Sequence, residues 1–169
     1  MPRKRKARLT HLARDGSPRM VNVGAKPVTC RRAVAEAYVT VGRAIASRLR
    51  RQGGLAKGDV LVTARLAAIA AAKQTSMLIP MCHPIAIDGI DVGAAVEGTR
   101  VRITVTVSAE ARTGVEMEAM VAAAVGALTV YDMVKSAGKG IEIGPVRLLE
   151  KEGGKSGRWT RPEGRHAAR

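Results

Sequence analysis

Residues 113–139, T-G-V-E-M-E-A-M-V-A-A-A-V-G-A-L-T-V-Y-D-M-V-K-S-A-G-K, constrain what this chain can fold into more than any other stretch. They read as an apolar helix of roughly six turns, with charges in only two places. Thr113 stands at an N-cap position, with Glu116 three residues on in the capping-box position. Gly138 followed by Lys139 reads as a helix stop with a cation at the negative end of the dipole. Glu116 and Glu118 open the helix; Asp132 and Lys135, three apart, are neighbours on one face near its end. Glu118 and Asp132 are separated by about 21 Å at ~1.5 Å per residue, yet fall on nearly the same stripe. Either one end alone is functional, or a site is assembled from the end of one helix and parts of another subunit. Ala122, Ala123, Ala124, Gly126 and Ala127 favour the second option, because small residues let another backbone come close. The spacing alone is equally that of a buried core helix with capping and snorkelling charges.

A length of 169 residues suggests one compact domain, expected at 19–157, between a disordered basic tail at 1–18 and a flexible basic tail at 158–169. No apolar run reaches the ~18–20 residues that a membrane helix needs, and no signal-peptide core opens the chain. Two cysteines, Cys30 and Cys82, are too few for a disulfide framework and fit a reducing cytoplasm. The net charge of +15 suggests nucleic acid until it is divided. Residues 1–19 hold seven Lys/Arg against one Asp, a net +6, and residues 155–169 hold five against one Glu, a net +4. The remaining +5 is spread over the core, which suits a small anionic ligand at least as well as a polyanion. Phe is absent and the aromatic content is 2%, so no stacking platform for single strands interleaves with the basic runs.

Taken in order, residues 20–23 read as a short strand, and residues 31–51 as a long helix whose Ala33, Ala37, Val41, Ile45 and Leu49 repeat every four. Arg31 and Arg32 would then lie in a first turn, where cations oppose the dipole and call for an anionic partner. Lys57-Gly58-Asp59 opens a second helix running to Lys73, with Lys57 placed where backbone N–H groups gather around anions. Leu78-Ile79-Pro80-Met81-Cys82-His83-Pro84 is held extended by its prolines. His83 is the only histidine outside the tails, suited to acid–base or ligand-orienting work or to core packing; no second Cys or His in the core completes a zinc shell. Residues 85–97 and 100–110 form a hairpin, with a phase switch at Asp88-Gly89 that resembles a bulge. Residues 141–149 make a last strand, edge or bent, crossed by Gly144-Pro145. The loop Gly153-Gly154-Lys155-Ser156-Gly157 lacks the spacing of a phosphate-binding P-loop but offers Lys155 to an anion. The layout is α+β: one antiparallel sheet with helices packed on one face, its other face expected to be covered by self-association.

Together, K-G-D-V-L-V-T-A-R-L-A-A-I-A-A-A-K (57–73), L-I-P-M-C-H-P (78–84), T-G-V-E-M-E-A-M (113–120), L-T-V-Y-D-M-V-K (128–135) and G-P-V-R-L-L-E-K-E-G-G-K-S-G (144–157) closely resemble the MoaC family. These are the cyclic pyranopterin monophosphate synthases of molybdenum cofactor biosynthesis. The match covers about residues 20–157; Met81 and Val134 are mild departures, and both charged tails are extra. The resemblance implies a ferredoxin-like protomer in a homohexamer, a trimer of dimers, with active sites at subunit interfaces. It implies as substrate 3′,8-cyclo-7,8-dihydroguanosine triphosphate, made from GTP by a radical-SAM partner enzyme, and as product cyclic pyranopterin monophosphate with pyrophosphate released. No cofactor is implied as required, and no metal site; Mg2+ accompanying the triphosphate is compatible with it.

On that resemblance, Lys57 and Lys135 are the expected proton shuttles, with Asp132 positioning Lys135 and burial or neighbouring cations lowering the lysine pKa. Glu116, Met117 and Glu118 would bind the guanine-derived edge, Cys82 and His83 would contact or protonate substrate, and Lys26, Arg31, Lys73 and Lys155 would hold the triphosphate. Two other classes compete: a basic nucleic-acid-binding oligomer whose core is only a platform, and an inactive structural oligomer. Deleting residues 1–18 separates the first from the enzyme, since catalysis survives and nucleic-acid affinity collapses. Against the second, a scaffold has no use for charges at costly positions.

Overall fold

The computed structural model describes residues 13, 15–52, 54–55, 58–155 and 157–162. Lys57, most of the N-terminal tail and residues 163–169 lie outside them. The elements run β1 (Thr29–Thr40), α1 (Gly42–Gln52), β2 (Gly54–Leu55), β3 (Gly58–Asp59), α2 (Val60–Lys73), α3 (Thr75–Leu78), β4 (Gly89–Glu97), β5 (Arg100–Ala111), α4 (Glu116–Val134), β6 (Glu142–Glu152) and β7 (Trp159–Thr160). The main sheet has the order β4-β5-β1-β6-β7, with every neighbouring pair antiparallel. β2 and β3 form a separate two-stranded ribbon.

The principal departure from the sequence expectation is β1. Residues 29–40 are strand, and only Gly42–Gln52 is helix. A four-residue repeat is a multiple of the strand period of two as well as close to a helical turn, so Ala33, Ala37 and Val41 fit both. The intervening Ala35 and Val39 are buried too, and that alternation, with Val34, Tyr38, Val39, Thr40 and Val41 favouring extended backbone, decides for strand. Gly42, at φ +78°, turns the chain into α1, and the Val41 and Gly42 amides donate to Thr99 O at the tip of the β4–β5 hairpin. The strand expected at residues 20–23 is absent.

The hairpin is as the alternation implies: Val101, Ile103, Val105 and Val107 are all buried. No bulge lies at Asp88-Gly89, because β4 begins at Gly89 and its register with β5 is unbroken. Asp88 instead ties the strand entry down, its carboxylate accepting from the Glu110 amide at 2.7 Å. α2 starts where expected, with Asp59 accepting from the Leu61 and Val62 amides at 2.9 and 3.0 Å. β6 is bent, with register shifts against β1, but it is flanked by β1 and, near its end, β7. Residues 159–160, expected in the flexible tail, pair with Glu150 and Lys151.

α4 lies across β1, β5 and β6, and α2 packs beside it and over β4, so both long helices cover one face. Small residues on α4 make this possible. A Cβ added at Gly126 would stand 3.1 Å from Ile103 Cγ2 and 3.4 Å from Ala64 O. Ala122, Ala123, Gly126 and Ala127, all buried, therefore serve close packing within the chain. By length and composition α4 is the one helix among the described residues able to cross a membrane, a match the sequence reading did not expect, and half of that stretch is buried.

The opposite face of the sheet is charged. Glu36, 1% exposed, accepts from Arg102 Nε at 2.8 Å and Arg147 Nε at 2.6 Å. A face satisfied in this way does not require an apolar cover. Exposed apolar side chains lie on the helices among other places, with Met77 on α3 86%, Leu66 on α2 63% and Leu128 on α4 57% exposed.

Candidate active site

Two cavities flank the N-terminal end of α4. The larger, about 510 Å³, is walled by the start of β1, the β5–α4 connection, the first turn of α4, and the end of β6 with its glycine loop. Lys26, Arg31, Arg112, Lys151 and Lys155 line it, against the carboxylates of Glu116 and Glu152. The antiparallel β1–β6 register sets Arg32 opposite Glu152 and Ala33 opposite Lys151, which brings the two ends of the sequence to one place. Arg31 is held by carbonyl oxygens: its Nε donates to Ala111 O at 3.2 Å and its Nη2 to Arg112 O at 3.4 Å. Lys151 Nζ and Glu116 Oε1 are paired at 3.1 Å. That pair replaces the expected capping box: the helix begins at Glu116, and Val115 at the cap position makes no side-chain hydrogen bond. The result is a cleft with an excess of positive charge, shaped to hold an anion.

The smaller cavity, about 70 Å³, is lined by Lys73, Thr75, Ser76, His83 and Glu118, among others. Glu118 is 3% exposed, and its Oε2 has no hydrogen-bond partner among the described residues. Burial raises its pKa, with the Glu116 charge adding to the effect and its own backbone N–H opposing it. A buried carboxyl with a vacant oxygen is costly unless something polar meets it. Burial likewise pushes the Cys82 thiol up, helped by the charges of Glu118 and Glu116. No group of three or more His, Cys, Asp or Glu side chains suited to a metal ion occurs among the described residues.

At the other end of α4, Lys135 Nζ pairs with Asp132 Oδ1 at 2.6 Å, with side chains 54% and 61% exposed. The hydrogen bond to Asp132, and then its charge, raise the Lys135 pKa. This is opposite to the lowering expected from burial or crowding, because within one chain Asp132 outweighs the slight desolvation of an exposed side chain.

A family model described as the MoaC family matches residues 20–154. The chain belongs to the MoaC family. A relative from Streptomyces coelicolor is 50% identical over 154 residues, covering 91% of this chain and 90% of its own. One from Jannaschia sp. is 50% identical over 160 residues, covering 94% and 98%. One from Thermomicrobium roseum is 48% identical over 165 residues, covering 95% and 99%. Each is named cyclic pyranopterin monophosphate synthase.

In this MoaC-family chain the fold gathers Lys26, Arg31, Lys155 and Glu116 around the larger cavity, and Lys73, His83 and Glu118 around the smaller. Lys73 thus stands with His83 rather than with the other cations expected to hold phosphate. Met117, half-exposed, lies between Glu116 and Glu118 on the first turn of α4. Asp132 and Lys135 are not brought to either cavity, and Lys57 lies outside the described residues. Arg112 and Lys151 were not singled out from sequence. Lys151 carried a signal, since it sits within the G-P-V-R-L-L-E-K-E-G-G-K motif; its role became visible only once β6 was paired with β1.

Proposed function

We propose that this chain is a cyclic pyranopterin monophosphate synthase, acting on 3′,8-cyclo-7,8-dihydroguanosine triphosphate. The observation that carries this reading is the pair of cavities flanking the start of α4, one cationic and one holding a buried, half-unpartnered carboxyl. A nucleoside triphosphate needs both. The larger cavity receives the triphosphate through Lys26, Arg31, Arg112, Lys151 and Lys155; charge-assisted hydrogen bonds of this kind contribute about 1.5–3 kcal/mol each. Glu118, with Glu116 and Met117 beside it, takes the N–H edge of the guanine-derived ring, while Cys82, His83 and Lys73 border the reacting centre. Rearrangement of that ring moves protons and breaks a C–N bond. A sugar hydroxyl then attacks the α-phosphate, and the bond to the β-phosphate breaks to release pyrophosphate. Electrons balance without an oxidant or reductant, so no redox cofactor is required; Mg2+ neutralising the triphosphate is compatible with this chemistry.

The proton shuttles on this reading are Lys57 and Lys135, with Asp132 holding Lys135 across one turn. Since Asp132 and Lys135 stand far from both cavities in one chain, a second copy supplies them, in a homohexamer built as a trimer of dimers from ferredoxin-like protomers. The strand order β4-β5-β1-β6 and the exposed Leu66 and Leu128 support that assembly. A cytoplasmic setting and a radical-SAM GTP cyclase as supplier of substrate complete the reading. The test is direct: purified protein incubated with the cyclised nucleotide forms cyclic pyranopterin monophosphate and one pyrophosphate per product. Substrate left intact by a folded, oligomeric preparation would overturn it.

A further inference from the structure

The glycine pair at the end of β6 does different work at its two positions. Gly153 has φ +101°, and a methyl group there would overlap the Cys30 carbonyl oxygen, a backbone atom of β1. Gly154 has φ +69°, and a methyl group there would overlap Arg31 Nη1 and lie 2.8 Å from its Cζ and 2.9 Å from its Nη2. The first glycine lets two strands meet. The second leaves room for one guanidinium, which rests against the loop while Ala111 O and Arg112 O hold it from the other side. An arginine fixed by neutral carbonyls keeps its full charge for a ligand, and a clamped fork loses less freedom when it binds one.

We propose that Gly154 is a positioning residue for phosphate recognition: its missing side chain is the slot that fixes the Arg31 guanidinium in the larger cavity. This rests on the reading of that cavity as the triphosphate site. A side chain at residue 154 leaves the sheet intact, because the atoms it meets are the far end of a flexible side chain, but it expels the guanidinium from its slot.

The test measures GTP binding to the full-length protein by calorimetry in Gly154→Ala, Arg31→Ala, the double variant and Gly140→Ala. Gly140 has a comparable φ of +76° with open space around it, so it reports backbone strain without crowding. Losing one charge-assisted contact corresponds to roughly tenfold weaker binding. Gly154→Ala and Arg31→Ala should each show that loss, the double variant should be no weaker than Arg31→Ala, and Gly140→Ala should stay within about twofold of wild type. Gly154→Asn, better tolerated at positive φ, should repeat the loss at wild-type thermal stability. If Arg31→Ala weakens binding while the Gly154 variants do not, the slot is refuted and the triphosphate site stands. Arg31→Ala binding GTP as wild type does would overturn both.

Discussion

The two ends of α4 carry similar charges in opposite circumstances. At the N-terminal end, Glu116 is paired with Lys151 across the cavity wall, and Glu118 is buried with an oxygen unpartnered. At the C-terminal end, Asp132 and Lys135 satisfy each other in solvent. The exposed Asp132–Lys135 pair adds little to the protomer's stability, whereas Glu118 is enclosed in the packing around the start of the helix.

The sharpest way to break this contrast is Lys135→Ala. A group that moves protons in the reaction is worth about 10²–10⁴ in rate, so turnover should fall by at least that lower figure while the thermal midpoint stays within about 4 °C, given the small worth of an exposed pair. Co-expressing Lys135→Ala with the equally impaired Glu118→Gln sharpens it. If sites draw on two copies, random mixing regenerates activity at about a quarter of wild type. If each copy holds its own site, mixing regenerates none.

The middle of the helix comes next. Gly126→Val presses against Ile103 and the α2 backbone, and overpacking of this kind costs about 1–3 kcal/mol. At about 2–4 °C per kcal/mol for a chain of this size, the thermal midpoint should drop measurably with no change in oligomeric state by gel filtration. Dissociation without loss of protomer stability would mean that the small residues face another copy after all.

The smallest effect concerns Glu118. Burial holds its carboxyl above the ordinary carboxylate range, so the folded chain keeps the proton to higher pH than the unfolded one. Stability from the neutral carboxyl is present below about the unfolded value and declines as pH rises toward the folded pKa. Glu118→Gln, which cannot ionise, should therefore gain on wild type in thermal midpoint as the pH rises above the ordinary carboxyl range. A difference independent of pH would show that Glu118 is not desolvated.

What could be read from the sequence follows what is local. The Asp59 cap, the alternation in β5 and the apolar character of α4 are fixed by neighbours a few positions apart, and each stands as expected, although α4 ends at Val134 with Lys135 as its C-cap and not at Gly138. The failure at β1 came from a repeat of four that two periods share, with Ala35 and Val39 as the overlooked arbiters. The capping box at Thr113 failed because Glu116 found a stronger partner in Lys151, thirty-five residues away. The larger cavity was half visible: Lys26, Arg31, Lys155 and Glu116 could be named, but Arg112 and Lys151 join them only through strand pairing between distant stretches, and spacing along a chain does not encode that.

The pairing of β7 with the end of β6 has one practical consequence. The chain has a single tryptophan, two tyrosines and no phenylalanine, and that tryptophan, Trp159, sits in register with Lys151. The one indole of the molecule is thus stationed one strand over from a lysine that lines the cationic cleft, an optical gauge for the end of β6 against an almost dark background.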